Sequence, residues 1–186
     1  VDPGSSAPDL AIERPESPSV GDLAIYVGDK SVQVGDNERE VLDNLPRPKG
    51  AYEFSQDPPI RDDKLTCRGW ESSTQSFAGI FKEGRSVLAM MLYERVESGA
   101  IEPLLARLRS NFGPETTTIS DNATRYLFWD RGNQRLMFCE TVTKYDGRVV
   151  SVVVGLSSVM QQLRMDPETG KADSEAATRM IASSSK

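Results

Sequence analysis

Two tryptophan–acid pairs, Trp70-Glu71 and Trp129-Asp130, are the residues best suited to a specific contact. An indole offers a large apolar surface with one N–H donor, and tryptophan is enriched where protein partners meet. The neighbouring acid adds an acceptor. Both pairs are therefore read as aromatic anchors of a partner-binding surface; the competing reading is that each indole caps its own core. Reactive alternatives are sparse. The sequence has no histidine, which removes the commonest general base, zinc ligand and pH switch. A serine nucleophile would then need a lysine as base. The one Ser-x-x-Lys spacing, Ser183 to Lys186, lies at the end of the chain, where a near-attack geometry is not held. Glycoside chemistry would draw on paired carboxylates. Asp62-Asp63, Glu71 and Asp130 supply acids, but in turns and at strand ends they read as solvated. Calcium-loop spacing and Gly-rich phosphate loops are absent from the sequence. Cys67 and Cys139 are too few for a disulfide framework or a four-thiolate zinc site. They are either one disulfide or two buried thiols. Asn122-Ala-Thr124 matches a glycosylation acceptor, a pattern short enough to arise by chance. No catalytic residue, metal ligand or cofactor is expected.

The composition sets the class. Hydrophobic residues make up 38% and charged residues 27% of the 186 residues, ordinary for a globular chain. The net charge of −6 repels phosphate backbones, so nucleic acid and anionic membrane surfaces are poor partners. No run approaches the roughly 18 apolar residues of a membrane span. The stretch 1–21 is rich in Pro, Ser, Gly and acids and reads as a flexible leader. Such leaders link membrane anchors to folded extracytoplasmic domains, and they also occur at the ends of cytosolic proteins.

The elements that must position the tryptophans follow from periodicity and punctuation. Leu23 to Val27 and Ser31 to Val34 read as a hairpin across Gly28-Asp29-Lys30. Asp36 or Asn37 caps a helix carrying Val41, Leu42 and Leu45 on one stripe, stopped by Pro46 and Pro48. Residues 46–64 read as a long loop pinned by Tyr52 and Phe54. Three strands follow: Leu65 to Trp70, Ser76 to Phe81 and Ser86 to Arg95. The third is apolar on both faces, which predicts a central strand covered on both sides. Ser98-Gly99 opens a second helix with Ile101, Leu104, Leu105, Leu108 and Phe112 at helical steps, closed by Gly113-Pro114. Ala123 to Asp130, Gln134 to Thr143 and Arg148 to Ser157 read as three more strands, the last two joined at Asp146-Gly147. Met160 to Met165 reads as a helical turn, and Glu175 to Ile181 as a weak helix in the tail 166–186.

The halves align. Val41-Leu42, Leu45 and Gly50 match Leu104-Leu105, Leu108 and Gly113, while Glu83-Gly84-Arg85 matches Asp146-Gly147-Arg148 at the same offset. With one gap, Trp70-Glu71 falls on Trp129-Asp130. The fold class expected is α+β, with two tandem units, each a helix plus a three-stranded antiparallel meander, at residues 22–97 and 98–165. One such unit has too little core to stand alone, so the two are expected to share a sheet or to stack edge to edge.

The stretch Ser31-Val-Gln-Val-Gly-Asp-Asn-Glu-Arg-Glu-Val-Leu-Asp-Asn-Leu-Pro-Arg-Pro48 resembles the opening of domains of the β-lactamase inhibitor protein family and of the small lipoprotein of the outer-membrane barrel-assembly machine. That resemblance implies a tandem helix-sheet fold and protein binding across an exposed sheet face. The order of helices and strands in an acidic chain is also similar to type III secretion chaperones, which implies an intracellular dimer holding secreted substrates. The preferred expectation is a non-enzymatic protein-binding or adaptor module, periplasmic or at the cell surface, with Trp70, Glu71, Trp129 and Asp130 in contact with the partner. The chaperone is the alternative.

Overall fold

A computed structural model describes residues 22–144 and 147–167. The expected leader, the tail helix, the Ser183–Lys186 spacing and Asp146 lie outside the described residues. The chain opens with a hairpin, β1 (Ala24–Val27) and β2 (Lys30–Gln33), and then α1 (Glu38–Asn44). β3 (Tyr52–Gln56), β4 (Leu65–Glu71), β5 (Gln75–Lys82) and β6 (Arg85–Tyr93) form one antiparallel meander. A 3-10 turn at Ser98–Ala100 leads into α2 (Ile101–Phe112). A second meander follows, with β7 (Thr117–Ser120), β8 (Thr124–Arg131), β9 (Gln134–Val142) and β10 (Arg148–Leu156), and then α3 (Ser157–Gln162).

The two meanders are not separate units. β6 pairs with β10, from Tyr93↔Val150 to Leu88↔Gly155, giving one 8-stranded sheet in the order β3-β4-β5-β6-β10-β9-β8-β7. Strands make up 47% and helices only 19%, so the protein is mostly β. This corrects the expected α+β class of two tandem helix-plus-three-stranded units. Two strands account for much of the difference. β3 lies inside the stretch read as a loop, and β7 follows α2 where no strand was expected.

Local signals explain the helices. Asn37 caps α1, its side-chain oxygen accepting from the Arg39 and Glu40 amides at 3.0 and 3.4 Å. Asp36 instead accepts from the Gln33 amide at 2.9 Å, closing the preceding turn. α2 buries Ile101, Leu105, Leu108 and Phe112, each worth roughly 2 kcal/mol in burial. It ends at Gly113, whose φ of 79° is left-handed and suits glycine.

Both faces of the sheet are covered. On one side Trp70, Phe77, Met91, Trp129, Phe138 and Val152 pack with the β1–β2 hairpin, α1 and α2. On the other, Cys67, Ile80, Met90, Phe128, Met137 and Val153 form a second core with Met160 of α3 and with Leu163 and Met165. β6 carries both sets in alternation, the reason its pattern has no polar face. No helix among the described residues is long and apolar enough to cross a membrane.

The packing leaves no room at Gly69 in β4. A Cβ there would run into the Phe77 carbonyl oxygen and stand 2.9 Å from the Phe54 ring. Gly69→Ala is expected to cost at least about 3 kcal/mol through overpacking, measured as a fall in the urea midpoint; an unchanged midpoint would show that β3 is not seated there.

Candidate functional site

The predicted anchors lie in the core. Trp70 is 1% exposed and Trp129 0%. Neither indole ring is displayed on the surface, which corrects their reading as exposed aromatic anchors. Their places are mirrored. Each sits on the strand second from its own edge of the sheet, β4 or β8, and each faces the helix-covered core.

Trp129 and its neighbours hold the end of α2. The indole Nε1–H donates to the Gly113 carbonyl at 2.9 Å, and Arg131 Nη2 donates to the Phe112 carbonyl at 2.6 Å. These bonds satisfy helix-end carbonyls that have no partner inside the helix. Asp130 is half-buried and accepts from Arg135 Nε at 2.6 Å, across the β8–β9 pair in which the two residues are opposite. Glu71, at the end of β4, is half-buried too and lies opposite Tyr52 of β3. Trp129 and Asp130 are thus structural, and the four predicted residues do not converge on one surface.

A buried charge cluster escaped sequence reasoning. Glu140 on β9 is 4% exposed. Its Oε2 accepts from Arg125 Nε at 3.1 Å and Nη2 at 2.7 Å, and its Oε1 pairs with Arg148 Nη1. Arg125 stands opposite Glu140 on β8, and Arg148 lies on β10 at the same end of the sheet. In the sequence these arginines look scattered, since only the strand register brings them together. Glu140 and, at 3.7 Å from Arg125, Glu102 together offset the two guanidiniums, so the cluster reads as a structural clamp and a weak anion site.

The thiols do not meet. Cys67 is on β4 and Cys139 on β9, with β5, β6 and β10 between them, and both are free and buried. The disulfide alternative is therefore set aside. Burial pushes the Cys67 thiol up to about 11 and the Cys139 thiol up to about 12. Since the thiolate is the reactive form, neither is expected to react with a disulfide reagent at neutral pH until the protein unfolds. Rapid native labelling at either site would contradict that placement. Among the described residues, no group of three or more acids or thiols comes together to hold a metal.

What remains open is a margin of the sheet. β3 has β4 on one side, and among the described residues no strand pairs with its other side. It carries Tyr52, which at 49% is among the most exposed large side chains, followed by Glu53, Phe54, Ser55 and Gln56. Phe54 packs toward the second core, while Glu53 stands opposite Trp70 on the helix side. Beneath the strand, a cleft of about 50 Å³ is lined by Leu42 and Asp43 of α1, by Arg47, and by Glu53, Arg68 and Trp70. Arg47 pairs with Glu53, and Arg68 with Glu38 at 3.0 Å. Both pairs are solvent-accessible and hold their side chains weakly. Sequence reasoning missed this margin because the prolines around it read as a loop.

No family model and no curated protein matches the sequence. The chain is similar to a cysteine-rich secretory protein from Staphylococcus aureus subsp. aureus Mu50, with 11% identity and a TM-score of 0.36. The likeness covers 68% of this chain and 46% of that one, so the chain spans about half the length of that protein. At that TM-score the likeness carries no argument about fold or role.

Proposed function

We propose that this chain is a non-enzymatic protein-binding module that takes an extended segment of its partner along β3. One observation carries the reading: both faces of the sheet are occupied by core, so specific contact falls to the strand margins. A sheet edge with no neighbouring strand among the described residues presents N–H and C=O groups that can template an added strand. β3 is favoured over β7, the other margin, because it is the longer of the two and carries the exposed Tyr52. Main-chain pairing supplies affinity. Side chains of the added strand would alternate between Tyr52 and Phe54 on one face and Glu53 and Ser55 on the other, which supplies selectivity.

A random peptide library displayed on phage and selected on the folded protein tests this. Recovered sequences are expected to lack proline and to alternate apolar with polar residues. Ser55→Pro should weaken their binding about tenfold or more by blocking the edge. Thr118→Pro, on the opposite margin, should leave binding unchanged. Peptides whose binding ignores Ser55→Pro would refute the reading.

A further inference from the structure

Trp129 shows what an indole in its position needs. Its N–H is satisfied by a main-chain carbonyl, that of Gly113. Trp70 occupies the mirrored place and is equally buried, yet its Nε1–H has no acceptor among the described residues. A buried donor left unpaired is costly and rare, and it points to an acceptor that belongs there. The helices account for the difference. α2 runs for 12 residues and brings its terminal carbonyls over β8, whereas α1 has 7 and no carbonyl of the described residues accepts from the Trp70 Nε1–H. Instead, the cleft between α1 and β3 adjoins the indole.

The cleft selects by size and charge. Its volume of about 50 Å³ exceeds the roughly 10–15 Å³ that one water needs, so it has room for a small polar group and not for a large side chain. Arg47 and Arg68 are balanced by Asp43 and Glu53 around it, so it favours a neutral acceptor over an ion. Glu53 of β3 lies directly opposite Trp70, which sets the cleft beside the open margin. We infer that the cleft receives a main-chain carbonyl from the partner segment lying along β3, with the Trp70 indole N–H as its donor. This rests on the edge-binding reading and makes Trp70 a buried positioning group reached by the partner's backbone.

The test follows the two indole N–H resonances of the ¹⁵N-labelled full chain, assigned with Trp129→Phe. The probe is an acetylated, amidated Thr-Val-Thr-Val-Thr peptide. The Trp70 indole proton is expected to move downfield and saturate together with the main-chain amides of residues 52–56. Replacing Trp70 with benzothienylalanine, which keeps the shape and removes the N–H, should weaken the peptide about tenfold. If the β3 amides respond while the Trp70 indole does not, the carbonyl site is wrong and edge binding stands. If the indole already sits at its hydrogen-bonded position in the free protein and does not move, a water or another part of the chain fills the cleft and the inference fails. If neither responds, edge binding fails with it.

Discussion

Glu140→Ala is expected to destabilise the fold by about 3 kcal/mol. The carboxylate is 4% exposed and takes three hydrogen bonds from two arginines on the flanking strands. Removing it leaves two guanidiniums close together without their shared anion, and Arg125 keeps the more distant Glu102 at 3.7 Å. Breaking a buried pair from one side typically costs about 3–5 kcal/mol. The low end applies here, because the Arg125 and Arg148 side chains are 35% and 31% exposed and can recover water. Glu140→Gln keeps the shape and part of the bonding, and should cost about half as much. Urea unfolding of the three proteins checks this. A loss below about 1 kcal/mol for Glu140→Ala would mean that the clamp contributes no more than a surface ion pair.

Trp129→Ala should be larger still, about 4 kcal/mol. It empties the centre of the helix-side core and also frees the Gly113 carbonyl at the end of α2. Truncation to phenylalanine separates the two effects. Trp129→Phe and Trp70→Phe remove similar apolar volume from mirrored places, but only Trp129→Phe breaks a hydrogen bond. It should therefore cost about 1 kcal/mol more than Trp70→Phe. Equal costs would show that the Trp70 N–H is already satisfied in the free protein. Either way, both substitutions act on folding, because neither side chain reaches the surface.

The contrast between the tryptophans also marks the limit of sequence reading here. Strand cores were legible wherever side chains alternate or run apolar on both sides, as in β5, β6, β9 and β10. The α2 stripe and its Gly113 end were legible for the same reason, since burial imposes the period. Edge strands carry weaker patterns. Tyr52–Gln56 is half-solvated and bracketed by Pro48 and Pro58, and Thr117–Ser120 is short and polar, so each reads as loop. The joining of β6 to β10 is a long-range register that no local pattern encodes, so the sequence left a shared sheet and edge-to-edge stacking as equal alternatives. A tryptophan's type likewise does not say whether it faces a partner or a core. That depended on α1, α2 and the first hairpin covering one face of the sheet, which follows only from the assembled fold.

Amide hydrogen exchange on the full chain, with and without a peptide selected by display, tests the central claim most directly. The expected result is slow exchange throughout β5, β6, β9 and β10, with amides on the open side of residues 52–56 exchanging fast until the peptide slows them. Protection gained at another surface while those amides stay fast, or full protection of that margin before any peptide is added, would contradict it.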